Sequence, residues 1–275
     1  GSDIMKKRVF GILIILAVFL SPPFALFRSM AVMLPYSSWH KSRSVQAEKG
    51  FEINIPGGMS TAESDWYPFV MTFNDDAGFR NYTGNDSASL TIMYNFPAFS
   101  LLKGCSRLFD PSSPYCGAFY GAYITSGNDE PYGFSGGAPD ADKIAGIPEF
   151  DLKYLVLGPF GLDPEDMIFD KSLISSQDGV SYAGYDGWSR FDVGIKTNSP
   201  VHKISRFDQS YLQYGIPAFE SEDDFAPTDM YGRIYAKYFD KSSTGVIFYI
   251  LAADPAVIAD CDREILSKSV IKGNI

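Results

Sequence analysis

Apolar residues follow three different rules along this chain. Near the start they are continuous: Val9 to Leu20 is an unbroken run behind Lys6-Lys7-Arg8, resuming as Phe24-Ala25-Leu26-Phe27 after Ser21-Pro22-Pro23 and stopping at Arg28. Through most of the remainder they alternate with polar residues, the period of a half-buried strand. Close to the end they recur at helical spacing.

The alternating part predicts a series of strands. Phe51, Ile53 and Ile55 alternate with Glu52 and Asn54 before Pro56-Gly57-Gly58 ends the segment. Trp66–Phe73, Leu90–Phe96 and Ala118–Ile124 are rich in aromatic and β-branched residues, as strands are. Phe191, Val193 and Ile195 share one face of another. Tyr231 to Phe239 alternates, Asp240 to Gly245 turns, and Val246 to Leu251 is continuously apolar, which predicts a hairpin whose second strand is buried on both faces and central. Gly127 to Gly146 reads as a loop or a seam between two halves, and Tyr154–Leu157 is a short apolar run stopped by Gly158-Pro159.

Asp254-Pro255 supplies an N-cap and a proline at the first helical position. The helix it opens runs to about Ser267, with Val257, Ile258, Cys261 and Ile265 on one stripe and Asp260, Asp262, Arg263 and Glu264 elsewhere. The fold class expected is therefore α+β: a strand-rich, mainly antiparallel sheet with a C-terminal helix packed on it, plus an N-terminal transmembrane or signal helix. Residues 1–4 read as a cloning remnant, 5–35 as signal anchor or signal peptide, 36–49 as a linker, and 50–275 as one extracytoplasmic β-rich domain.

A basic cluster ahead of an apolar core opens a secretory signal and keeps the N-terminus cytoplasmic. Val9 to Phe27 is long enough to cross a bilayer, for which roughly 17–25 residues are needed. A cleaved signal needs small residues at the cut, and Pro23-Phe24-Ala25 and Ser29-Met30-Ala31 serve poorly, so an uncleaved anchor is favoured. Either way the localisation expected is the cell envelope, with the main domain periplasmic or extracellular.

Composition narrows the chemistry. Asp and Glu number 33 against 23 Lys and Arg, for a net charge of −10. Lys6, Lys7, Arg8 and Arg28 all belong to the leader, so the rest is more acidic still. Such a surface repels phosphate backbones and excludes nucleic acid as a partner. It suits a protein partner, possibly basic. In an oxidising compartment Cys105 and Cys116 are expected to form a disulfide, leaving Cys261 as a buried thiol. With two histidines, His40 and His202, and no CxxC pair, neither a metal site nor any cofactor is expected.

Gly133-Phe134-Ser135-Gly136-Gly137 matches the G-x-S-x-G pattern of a nucleophile elbow, with His202 downstream, but Asp129-Glu130-Pro131 precedes it where a strand is required. Carboxylates cluster at Asp75-Asp76, Asp140/Asp142, Asp163/Glu165/Asp166 and Glu222-Asp223-Asp224; none has the spacing of a defined calcium loop, and a pair across a cleft would suit glycoside hydrolysis. Asn81-Tyr82-Thr83 and Asn85-Asp86-Ser87 are glycosylation sequons.

Aromatic content is the unusual feature, with 17 Tyr, 22 Phe and 3 Trp. Tyr182, Tyr185 and Trp188 fall within seven residues, beside glycines and flanked by Asp186 and Asp192. Such rings suit a binding hot spot with acidic residues steering encounter, and alternation of Trp188 with Arg190 suits a core position. The expectation is a membrane-anchored or secreted, non-catalytic protein-binding domain: an inhibitor, an immunity-type protein or an assembly partner. The alternatives are a cell-envelope glycan or ester hydrolase, or a glycan-binding module.

Overall fold

The computed structural model describes residues 2–20, 31, 35–56, 66–73, 81, 83–84, 89–97, 99–100, 105–106, 112–127, 130–158, 162–163, 165–199 and 225–275. Along the chain the strands are β1 (Phe51–Asn54), β2 (Trp66–Phe73), β3 (Ser89–Pro97), β4 (Phe99–Ser100), β5 (Cys105–Ser106), β6 (Phe119–Ser126), β7 (Phe134–Ser135), β8 (Ala138–Pro139), β9 (Phe169–Tyr182), β10 (Tyr185–Asn198), β11 (Pro227–Phe239), β12 (Thr244–Ala252) and β13 (Val270–Gly273). The helices used below are α1 (Ser2–Leu20), α2 (Val45–Lys49), α3 (Ala141–Asp151) and α4 (Pro255–Glu264).

A seven-stranded antiparallel sheet in the order β2-β3-β6-β12-β11-β10-β9 organises the domain. It consists of two meanders joined where β6 pairs with β12. Both of those strands are buried at every position, as the continuous apolar run Val246–Leu251 predicts. The hairpin β11–β12 closes with Phe239 opposite Thr244. On one face α3 and the π-helical turn Leu152–Leu157 pack over Ile92, Tyr123, Val193, Ile234 and Ile247. On the other, α2, α4 and the β1–β13 ribbon cover Tyr120, Ile124, Trp188, Phe248 and Ile250. The expected α+β class, antiparallel sheet and C-terminal helix are all present.

Local chemistry explains the helices. Asp254 caps α4 by accepting from Ala256 N at 2.8 Å, and Val257, Ile258 and Cys261 face the sheet. Fully burying each such apolar side chain contributes about 1.5–3 kcal/mol. Asp140 caps α3 in the same way, accepting from Asp142 N and Lys143 N at 3.1 and 3.2 Å. Gly127–Gly146 is thus not one long loop: it holds the β7–β8 hairpin and the start of α3. Gly146 and the internal Pro148 disguise that helix in sequence, because both residues disfavour helix interiors. The short apolar run Tyr154–Leu157 belongs to the π turn. Beneath this helix Tyr123 donates to the fully buried Asp151.

Residues 35–41 and 45–49, inside the expected linker, are helical. Val45 is buried in the core, its N–H donates to Thr91 Oγ1 at 3.1 Å, and Gln46 Oε1 accepts from Ile53 N at 2.9 Å. No Cys105–Cys116 disulfide forms: Cys116 and Cys261 are thiols. Cys105 is held as the strand partner of Ser100, whereas Cys116 lies in the turn entering β6; nearness in sequence does not supply the Cβ geometry a disulfide requires. Finally, no described helix is long and apolar enough to cross a membrane. Helix α1 starts earlier than expected and carries Asp3, Lys6, Lys7 and Arg8 within it; Pro22 to Phe27, the end of the expected span, lies outside the described residues.

Candidate functional site

The β9–β10 hairpin turns through two residues, Ala183 and Gly184, with φ of 49° and 84°. Two positive-φ residues match the right-handed twist of long strand arms, and each arm here has 14 residues. In β10, Phe191, Val193 and Ile195 point into the core below α3, leaving Arg190, Asp192, Gly194 and Lys196 on the opposite face. Residues of β11 sort the same way, with Met230, Ile234 and Ala236 inside.

On that opposite face α4 delivers one carboxylate into a ladder of polar contacts. Asp262, 7 % exposed, accepts from Tyr182 at 2.9 Å, Tyr235 at 2.7 Å and Arg233 at 3.1 Å. Arg233 Nε also donates to Asp192 Oδ1 at 2.7 Å. Asp192 Oδ2 accepts from Ser175 at 3.0 Å and lies 3.2 Å from Arg190. Burial, and then the charge of Asp262, push the Tyr182 and Tyr235 hydroxyls above the usual phenol range. Burial works against the charge of Arg233, but its hydrogen bonds to Asp192 and Asp262 outweigh it and hold the guanidinium protonated. Two carboxylates committed to arginines, with two phenols held neutral, form a rigid mount rather than an acid–base pair.

Beside the ladder the sheet is open. A groove of about 340 Å³ has Gly194 as its floor, with Ser172, Ile174, Tyr231, Lys196, Asp170 and Asp229 around it. A Cβ on Gly194 would stand 3.0 Å from Ser172 Oγ and 3.6 Å from Ile174 Cδ1, so the absent side chain keeps the floor low. Ile174 is 59 % and Tyr231 37 % exposed. A second groove, of about 380 Å³, follows α4 past Asp254, Val257, Asp260, Cys261 and Glu264.

The five residues picked from sequence separate. Trp188 is wholly buried and Tyr182 is 7 % exposed, so these two rings are interior and are not displayed. Trp188 packs against Phe248 with centroids 5.4 Å apart. The tight turn sets Tyr182 opposite Tyr185, and irregular pairing between Tyr185 and Trp188 directs the indole towards α4. Tyr185 is half-buried, edge-on to Phe239. Asp186 is exposed near the hairpin tip and accepts from Ser181. Asp192 alone joins Tyr182 in the ladder.

Sequence reading missed Ser175, Arg190, Arg233 and Asp262. For Asp262 the position was legible but its partners were not: it is four residues beyond Ile258 and three before Ile265, within the apolar stripe itself. Ser135 sits in the β7–β8 hairpin rather than at a strand-to-helix elbow, and His202 lies outside the described residues. Asp75, Asp76 and Glu222 to Asp224 also lie outside them, while Asp163 is used in a local turn with Glu165 N. Among the described residues no group of three metal-ligating side chains comes together. No protein-family model matches the chain, and no curated protein is similar to it in sequence.

Proposed function

We propose that this chain is a non-catalytic protein-binding domain held at the cell envelope, outside the cytoplasm, and that the open face of β9, β10 and β11 is its contact surface. The observation that carries the reading is the groove over Gly194. It combines exposed apolar groups, Ile174 and Tyr231, with charges of both signs, Lys196, Asp170 and Asp229. Next to it Arg190, Asp192 and Arg233 are fixed by their own ion pairs. A surface ordered before the partner arrives loses less entropy on binding. The net charge of −10 favours a basic partner through steering.

Attachment to the membrane is part of the same proposal. Val9, Phe10, Ile12, Leu13, Ile14 and Ile15 are all exposed on α1, which is apolar around its circumference beyond Arg8. Apolar surface of that kind is covered by lipid or by protein.

The test is a photo-crosslinking residue placed at Tyr231, with Lys241 in the distant β11–β12 turn as control, in cells that natively carry the protein. A discrete adduct from Tyr231, absent from Lys241 and lost when Ile174→Asp is added, is expected. The same adducts from both positions, or none from Tyr231, would exclude this face as the contact surface.

A further inference from the structure

Among the residues whose burial is described, the edge strand β9 is the most exposed part of the sheet. Asp170 to Gly179 are all exposed, and no strand among the described residues pairs with its outer edge. An open edge of unpaired N–H and C=O groups is a template for another strand unless it is blocked. Pro is absent from β9, and Lys171 is its sole lysine.

The side chains of this strand form a pattern that complements itself. Outside α1, the large apolar residues left exposed among the described residues are Trp39, Leu173, Ile174, Tyr231 and Val270. Leu173 and Ile174 are adjacent on β9, at 50 % and 59 % exposure, and Tyr231 shares the groove with Ile174. Lys171 lies three residues before Ile174, and Asp178 three after Ser175. A two-fold axis between Ile174 and Ser175 therefore sets Lys171 of one copy opposite Asp178 of another, twice.

The two charges also share a face. Lys171 stands opposite Ile195 and reaches Asp142 of α3 at 2.9 Å, while Asp178 accepts from Ser189, whose side chain is in phase with Phe191 and Ile195. Directly opposed residues of an antiparallel pair present their side chains on one face, about 4.5–5.5 Å apart at Cβ. In the same register Ser172 meets Gln177, Leu173 meets Ser176 and Ile174 meets Ser175. The pairing irregularity of β9 opposite Asp192/Val193 falls at Ile174, beside the axis, so both copies bend at the same place.

We infer that β9 pairs antiparallel with β9 of a second copy of this chain, extending the sheet across a two-fold axis between Ile174 and Ser175. This goes beyond the partner-binding reading and does not depend on it, since the groove of each copy lies on the sheet face rather than on its edge. The two grooves would flank the axis on one continuous sheet. Paired in this way, the Lys171 ammonium is shared between Asp142 and Asp178 of the second copy. Leu173 meets Ser176 of the second copy, Ile174 stays at the rim of its own groove, and the backbone edge is satisfied.

The full-length protein in detergent is the material for the test, with its mass measured by sedimentation or light scattering over a wide concentration range. A reversible dimer is expected. Lys171→Asp alone and Asp178→Lys alone should each weaken it about tenfold, because each places like charges opposite one another at two symmetric sites. The double exchange, Lys171→Asp with Asp178→Lys, should restore it. Because Lys171 also bonds Asp142 within its own copy and dissociation itself lowers a melting temperature, circular dichroism spectra matching the parent, rather than melting temperatures, verify that the variants fold. A monomer at every concentration would overturn the inference. So would a dimer indifferent to the single reversals, which would place self-association elsewhere, in α1 for example.

Discussion

Tyr182 and Tyr235 stack with their ring centroids 3.7 Å apart and their planes 12° from parallel, and both hydroxyls donate to the carboxylate of Asp262. The three residues come from β9, β11 and α4. This contact ties the late helix to the sheet and fixes Arg233 and Asp192 behind it.

The arrangement predicts a stability that fails in alkali. Burial and the Asp262 charge raise both phenols in the folded state. A group raised on folding holds its proton more tightly there, so its contribution is complete below the unfolded value, about 10 for tyrosine, and declines above it. Denaturation midpoints should be level through about pH 9 as far as these groups are concerned, then fall. Each tyrosine adds up to about 1.4 kcal/mol per pH unit to the slope. Tyr182→Phe should flatten the fall relative to the parent; an unchanged slope would contradict the burial of that hydroxyl. Asp262→Ala should cost about 3–5 kcal/mol at neutral pH by stranding two buried hydroxyls and leaving Arg233 with Asp192 alone.

Trp188 is expected to behave as core. Its indole lies among Tyr182, Phe239 and Phe248, with centroids 6.0, 6.0 and 5.4 Å away. Trp188→Ala should lower unfolding stability by about 3–5 kcal/mol. Trp188→Phe should cost distinctly less, because Nε1 makes no hydrogen bond among the described residues and its loss strands no partner. Urea titration of both variants checks this. A Trp188→Ala variant as stable as the parent would return the indole to the surface as a binding anchor.

Two glycines should respond for different reasons. Gly184 has a φ of 84° and open space where a methyl group would stand, so Gly184→Ala is penalised by backbone conformation alone, about 1–2 kcal/mol. At Gly245 a Cβ would press on the Phe134 ring and come within 2.6 Å of Thr125 Oγ1. Gly245→Ala should cost about 1–3 kcal/mol through overpacking, and trimming the ring with Phe134→Leu should recover part of that loss. A double-mutant cycle showing no coupling between positions 134 and 245 would refute the contact.

Much of the sheet was legible in the chain because its signals are local. Alternation in 191–195 and 231–239, the turn at 240–245 and the unbroken run at 246–251 each follow from which faces of one strand are buried, and the structure keeps them. The Asp254-Pro255 start of α4 is equally local, since a cap and a proline act within a single turn. What tertiary structure decided are relations between segments far apart. Sequence cannot say that β6 joins β12, because the pairing crosses more than a hundred residues and rests on which apolar faces find each other. It could not show that Trp188 faces inward, as that depends on how β10 pairs irregularly with β9. Nor could it show that Asp262 is buried. A carboxylate within an apolar stripe looks misplaced until Tyr182, Tyr235 and Arg233 arrive from other strands to satisfy it, and a charge is buried only where such partners are supplied.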